Sequence, residues 1–208
     1  MDRITKAGLA SLAALAMSAC ASTQFASSWK APGAGPLNFK GKKVAALIMS
    51  KEESSRYGSE DALARELTER GAVGMPAYTI IPKEVIQDKD KAREFLEKAG
   101  VVGVVAMRVV GKDSEITASP ATYWGTTQYA TFWGGGYYGW GWGGVYDPGY
   151  LRTDTVVSVE TLIYSLEQNK LVWAGMTRTT NPTEVYPFIK ELTAKVADEL
   201  KKLGLIRQ

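Results

Sequence analysis

Residues 43–50 read KVAALIMS and residues 101–110 read VVGVVAMRVV, and these two apolar runs decide the fold. Each run is short and nearly continuous, which is typical of a β-strand buried on both faces. The second run is so rich in valine that we expect it to occupy a central position in the sheet. Strands of this kind, separated by helical segments, predict an α/β fold with a parallel portion.

The residues between the two runs predict a helix, a second strand and a second helix. Ser59 is expected to cap the first helix, with Glu60 and Asp61 in its first turn, and Gly71 follows its last turn. The second strand is expected over residues 73–81. The second helix is expected to begin at Asp88 or Asp90 and to end before Gly100.

The carboxyl-terminal part of the chain predicts a hairpin and a closing helix. The hairpin strands are expected over residues 154–166 and 171–179, with a turn at Gln168 and Asn169 and with Trp173 buried on the return strand. A helix follows from Thr183 or Glu184. The element order is then β-α-β-α-β-(insertion)-β-β-α, which predicts an α/β fold class with a mixed sheet and helices packed on it, over residues 42–208.

The amino-terminal residues resemble a bacterial lipoprotein signal. Arg3 and Lys6 precede a short apolar run, and Cys20, the only cysteine, follows the small residues Ser18 and Ala19. The resemblance implies that residues 1–19 are a signal peptide and that Cys20 is lipidated, with palmitate-like acyl chains holding the protein on a membrane. An ordinary secretory peptide with an incidental cysteine is the alternative.

Residues 20–41 are predicted to be the lipidated cysteine and a flexible tether, because they contain few large apolar residues. Trp29 and Phe39 are the exceptions, and we expect them to pack back onto the domain. Ala21 follows the cysteine where an aspartate would signal retention at the inner membrane. The resemblance to sorted lipoproteins therefore implies an outer-membrane location on the periplasmic face.

Composition narrows the classes of function. The chain contains no histidine, and its single cysteine is assigned to lipid, so the commonest general base, metal ligand and nucleophilic arrangements are missing. We predict no enzyme activity, no catalytic residue, no metal and no cofactor. The 25 basic and 22 acidic residues nearly balance, which gives no electrostatic case for nucleic acid.

Three phrases of sequence resemble a group of periplasmic lipoprotein domains. The phrases are KKVAALIMS, LTERGAVGMPAYTIIP with AREFLEKAGVVGVVAMRVVG, and VVSVETLIYSLEQNKLVWAGMTRT. The group comprises the amino-terminal domain of the Tol translocation protein, the curli secretion channel lipoprotein and lipoprotein activators of penicillin-binding proteins. The resemblance implies their fold and a role as a binding or assembly module, and it transfers no catalytic residue.

An insertion rich in glycine and aromatic residues occupies residues 121–150, and no charged residue occurs from 116 to 146. Glycine disfavours a helix there. Three interpretations are open: a low-complexity loop, a protruding arm that contacts neighbouring subunits or lipid, and a stacking surface for sugars or peptidoglycan. The candidate binding residues are Trp124, Trp133, Tyr137, Tyr138, Trp140 and Trp142.

These observations predict a non-enzymatic periplasmic lipoprotein that acts in cell-envelope assembly or maintenance. Its partners would be the membrane, through the amino-terminal lipid, and a protein, other copies of itself or peptidoglycan. The alternative is an oligomeric component of an outer-membrane secretion or export apparatus.

Overall fold

The structure is a computed structural model that describes residues 22–50, 52–86, 88–114 and 155–206. The described residues form one mixed sheet of six strands with three α-helices packed on it, and this confirms the predicted fold class. The strands are β1 (Ser22–Lys30), β2 (Lys43–Ile48), β3 (Val73–Pro76), β4 (Val101–Ser114), β5 (Thr155–Ser165) and β6 (Lys170–Thr180). The helices are α1 (Glu53–Glu69), α2 (Lys89–Lys98) and α3 (Val185–Lys202).

The sheet has the strand order β1-β6-β5-β4-β2-β3. Strand β2 lies between β3 and β4 and is parallel to both, whereas β4, β5, β6 and β1 pair antiparallel. The valine-rich run over residues 101–110 therefore lies in the interior of the sheet, as predicted. It continues to Ser114 and pairs with β5 along its whole length from Gly103.

The helices lie on the two faces of the sheet. Helices α1 and α3 cover one face, where Leu63 and Leu192 are fully buried together with Trp173 of β6. Helix α2 covers part of the other face through Ala92 and Leu96. Residues 44–47 of β2 and 103–107 of β4 are therefore buried on both faces of the sheet, which explains why these stretches are apolar throughout rather than alternating.

The prediction of a flexible tether is wrong for residues 22–30, which form strand β1. Its backbone pairs with β6 from Ser22 opposite Thr180 to Lys30 opposite Trp173. The strand is stabilised from one face by Phe25, whose ring meets Trp173 edge-on at 6.1 Å between centroids. The polar side chains and a bulge between Phe25 and Ser27 hide the strand pattern in the sequence. Trp29 and Phe39 do pack onto the two cores, as expected.

Two boundaries also differ from the predicted ones. Helix α1 begins at Glu53 rather than at Ser59, so Glu60 lies in the helix interior and not in its first turn. Strand β3 ends at Pro76 instead of extending to residue 81, and a 3-10 turn over Ala77–Thr79 follows. Proline has no N–H for a strand ladder, which limits β3 to a short strand at the edge of the sheet. Gly71 and Gly100 follow α1 and α2 with positive φ angles of 91° and 74°.

Candidate functional site

The residues predicted to carry function lie outside the described residues. This applies to Cys20 and to the six aromatic residues of the insertion. Their lipidation and binding roles therefore stay predictions. What the structure does describe is the part of the sheet from which both segments leave.

The residues that flank the insertion and the residues that follow Cys20 lie at the same end of the sheet, which we call the insertion end. Strand β4 ends at Ser114 and β5 begins at Thr155, and these two residues pair with each other. In the neighbouring strands, Val156 pairs with Thr180, and Thr180 pairs with Ser22. The insertion end is thus formed by the start of β1, the end of β6, the start of β5 and the end of β4. Helices α1 and α3 also begin on this side, because β2 and β6 both run towards it.

A buried carboxyl group, Glu60, lies between the end of β2 and the residues that follow β3. Its Oε1 accepts the Ile48 N–H at 3.2 Å and its Oε2 accepts the Tyr78 N–H at 2.8 Å. The residue is fully buried. Burial raises the pKa of Glu60 to about 7, because desolvation of the charged form outweighs the two backbone hydrogen bonds and the nearby Arg56, which all lower it.

The side chains around Glu60 form a compact polar and aromatic cluster. Arg56 is 5% exposed, and its guanidinium carbon lies 4.9 Å from the centroid of the Tyr57 ring. The Tyr57 and Tyr78 rings are 4.6 Å apart, and the Tyr78 hydroxyl donates to Asp61 at 2.9 Å. Within the described chain, Arg56 Nε has no hydrogen-bond acceptor. The contacts connect α1 to the carboxyl ends of β2 and β3, so the cluster fixes the helix on the sheet.

A second buried charge pair lies on β4 and β5. Arg108 and Glu160 stand directly opposite each other in the register, and Arg108 Nε donates to Glu160 Oε2. The two side chains are 13% and 2% exposed. Such a pair costs desolvation free energy and is strongly destabilising when one partner is removed. It therefore fixes the register of the two strands whose ends flank the insertion.

The described residues contain no candidate metal site, and they enclose a small apolar cavity. Residues 22–50, 52–86, 88–114 and 155–206 contain no group of three His, Cys, Asp or Glu residues that could hold a metal ion. A cavity of about 10 Å³ lies between β2 and α2. This is room for about one water molecule, and its lining is apolar, comprising Ala45, Leu47, Ala77, Ile81, Ala92, Leu96 and Val104. None of the three described helices is long and apolar enough to cross a membrane.

The sequence contained a signal for the Glu60 cluster that the helix boundary obscured. Glu60 precedes Leu63 by three residues and Leu67 by seven, so the three share one face of a helix. Because Leu63 and Leu67 face the core, Glu60 does so too. Arg56 precedes Glu60 by one turn on that same face. The pair Arg108 and Glu160 had no comparable signal, because it depends on the strand register.

The buried Glu60 predicts that stability falls as pH rises towards neutrality. The pKa of Glu60 is higher in the folded than in the unfolded protein. Folding is therefore coupled to the uptake of a proton at any pH between these two pKa values. The resulting stabilisation is complete below the unfolded pKa of about 4.3 and is lost as pH rises through about 7. We expect the free energy of unfolding to fall by roughly 2–3 kcal/mol over this pH range. Urea unfolding at pH 5 to 8 measures it.

Glu60→Gln should remove most of this pH dependence, since glutamine keeps an acceptor oxygen without titrating. Glu69→Gln is the matched control, because Glu69 lies in the same helix but is exposed. The control should retain the wild-type slope of the free energy of unfolding against pH. Equal slopes for the wild type and Glu60→Gln would show that Glu60 titrates normally.

The described residues define the class of protein as an α/β domain with a mixed six-stranded sheet. No protein-family model and no curated protein matches the chain. The resemblance to the Tol, curli and penicillin-binding-protein activator group therefore stays a prediction.

Solved structures similar to the chain include two dodecamers and a lipoprotein. A PelC dodecamer from Paraburkholderia phytofirmans is 14% identical, with a TM-score of 0.46, over 90% of this chain and 99% of that chain. A second PelC dodecamer from the same organism, carrying one substitution, is 15% identical, with a TM-score of 0.47, over 85% and 94% of the two chains. Lipoprotein GNA1162 from Neisseria meningitidis is 14% identical, with a TM-score of 0.41, over 78% and 99%.

Proposed function

We propose that the protein is a non-enzymatic lipoprotein of the bacterial envelope, anchored in the outer membrane and facing the periplasm. In this proposal the folded domain is a support that presents residues 121–150 to a partner protein, to other copies of the chain or to cell-wall polymer. The observation that carries the proposal is the position of the insertion: it joins two long central strands, β4 and β5, whose ends are paired at a fixed place in the sheet.

The chemistry of the insertion supports binding rather than catalysis. Four of the six tryptophans lie within it, and tryptophan and tyrosine are the residues most enriched at binding hot spots. Aromatic side chains that are exposed as a large patch usually mark an interaction site. The buried carboxyl groups Glu60, beside Arg56, and Glu160, paired with Arg108, connect elements of the fold.

Replacing Trp133, Trp140 and Trp142 together with serine should leave the fold intact and abolish association. The reason is that the change removes the large aromatic faces while the described cores keep all their residues. The measurements are pull-down from envelope extract, sedimentation with purified peptidoglycan and self-association of the detergent-solubilised protein. Cooperative thermal melting confirms that each variant is folded.

The matched control replaces the same three tryptophans with tyrosine, which keeps an aromatic face at each position. This control should retain most of the association, and a single acidic replacement such as Asp113→Asn should change little. Identical behaviour of the wild type and the serine variant in all three assays would overturn the proposed binding role.

An oligomeric export component is the second candidate function. It is favoured by strand β1, which lies at the edge of the sheet and pairs on one side only within the described residues. An open strand edge is a template for pairing with another chain. Light scattering of the detergent-solubilised lipoprotein separates the two candidates, because a closed assembly of many copies favours export and a monomer favours an adaptor.

A further inference from the structure

We infer that the insertion end of the sheet lies against the lipid bilayer, held there by a very short connection between the acyl anchor and strand β1. The inference rests on the proposed lipidation of Cys20. It adds an orientation, which lipidation alone does not provide. A lipid surface, rather than a second protein, therefore covers the ends of β1, β4, β5 and β6, and residues 121–150 meet their proposed partner beside the membrane.

The length of the connection is the first step. Strand β1 begins at Ser22, only two residues after Cys20. Two extended residues span about 7 Å. A flexible tether of about 20 residues would instead separate anchor and domain by on the order of 25 Å. Because the segment is a strand and not a tether, an acylated Cys20 keeps the first residue of β1 close to the membrane surface.

The direction of β1 is the second step. Ser22 pairs with Thr180 at the insertion end, and Lys30 pairs with Trp173 towards the opposite end. The chain thus enters the sheet at the insertion end and runs away from it. Strand β4 continues over 13 residue steps from Val101 to Ser114, which corresponds to about 40 Å. The bilayer therefore meets the insertion end, and the opposite end of the sheet projects into solution.

The chemistry of the chain at this end is the third step. Residues 116–146, which leave from β4 and return to β5, carry no charge and contain four tryptophans. Tryptophan and tyrosine are enriched at the membrane–water interface, because their rings are apolar and their tips polar. At the start of α3, Val185 is 50% exposed, and it follows Thr180 of the insertion end by five residues. Lipid solvates such groups better than water does.

Two exposed valines provide a matched test. Val185 lies near the insertion end, and Val73, which is 44% exposed, begins β3 at the opposite end, where it pairs with Lys43. Since Cys20 is the only cysteine and its thiol would be acylated, Val185→Cys and Val73→Cys each create one reactive thiol. Each variant is labelled with a fluorophore and reconstituted in vesicles of phosphatidylethanolamine and phosphatidylglycerol that carry a nitroxide-labelled lipid.

We expect the lipid nitroxide to quench the label at position 185 several-fold more than the label at position 73. Equal quenching of both labels in a lipidated protein that floats with the vesicles would overturn the orientation alone. Protection of position 185 from an aqueous quencher without lipid quenching would mean that a protein covers this end, and would also overturn the inference. An intact mass without acyl chains would instead overturn the proposed lipid anchoring.

A longer connection tests the cause of the orientation. Inserting 20 glycine and serine residues between Ala21 and Ser22 leaves the acylated cysteine and the domain unchanged. We expect the variant to float with vesicles as before and the quenching at position 185 to fall to the level at position 73. Unchanged quenching would show that the short connection does not set the orientation, and would overturn the inference.

Discussion

Replacing Trp173 with alanine is expected to lower the free energy of unfolding by about 3–5 kcal/mol, the usual cost of removing a large buried aromatic side chain. Trp173 is fully buried in the core between the sheet and the helices α1 and α3. Its ring receives the edge of Phe25 at an interplanar angle of 87°. It also fills the space over Gly175, where an added Cβ would lie 2.3 Å from Trp173 Cη2.

The loss should come from packing rather than from a hydrogen bond, because Trp173 Nε1 has no partner among the described residues. Trp173→Phe is therefore expected to cost less than Trp173→Ala. Phe95→Ala is the control for removing an aromatic ring at a position that is 36% exposed, and it should cost under about 1 kcal/mol. Urea unfolding measures all three, and a loss under about 1 kcal/mol for Trp173→Ala would contradict the burial of its ring.

The interior strands and the glycines that end α1 and α2 could be predicted from the sequence, because local patterns determine them. The runs at residues 43–50 and 101–110 are nearly continuously apolar, and the structure buries residues 44–47 and 103–107 on both faces of the sheet. The hairpin of β5 and β6 and the burial of Trp173 followed from two apolar segments around a turn at Gln168 and Asn169. In each case the pattern and the packing agree.

Strand β1 and the first turns of α1 could not be predicted, because neighbouring parts of the fold stabilise them. Residues 22–30 are mostly polar and small, and they form a strand because the open edge of β6 supplies hydrogen-bond partners. Residues 53–58 are likewise polar, but Arg56 of this segment packs inward on Tyr57 and beside Glu60. Pattern reasoning assigns such residues to loops, since long-range pairing leaves no local signal.

The features of the candidate site also differ in whether the sequence alone could predict them. The insertion and Cys20 could be singled out from composition and spacing alone, and their functions stay predictions. The insertion end could not be foreseen, because it depends on which strand ends are neighbours. The start of β1 and the flanks of the insertion share one end of the sheet. This arrangement follows only from the strand order β1-β6-β5-β4 and its register. This relation turns two separate sequence features into one proposed membrane-facing surface.

Replacing Gly74 with alanine is expected to destabilise the domain by about 3 kcal/mol or more, the upper range for overpacking a rigid site. Strand β3 passes so close to α1 that a Cβ on Gly74 would lie 1.9 Å from the carbonyl oxygen of Ala64 and 2.9 Å from its Cα. These are backbone atoms inside a helix, and the Thr68 hydroxyl, which donates to the same oxygen at 2.9 Å, also accepts the Gly74 N–H. Relief of the clash therefore requires α1 to move off the sheet.

Gly58→Ala is the matched control for this change, because Gly58 lies inside α1 and a Cβ there would meet no atom within 4 Å. Alanine favours a helix more than glycine does, so the control should stabilise the protein by about 0.5–1 kcal/mol. Glycine to alanine is thus expected to stabilise the protein at Gly58, where the added Cβ meets no atom, and to destabilise it at Gly74, where the added Cβ meets the backbone of α1. Urea unfolding of both variants measures the difference. A Gly74→Ala protein with the wild-type midpoint would show that α1 and β3 do not pack as closely as this contact requires.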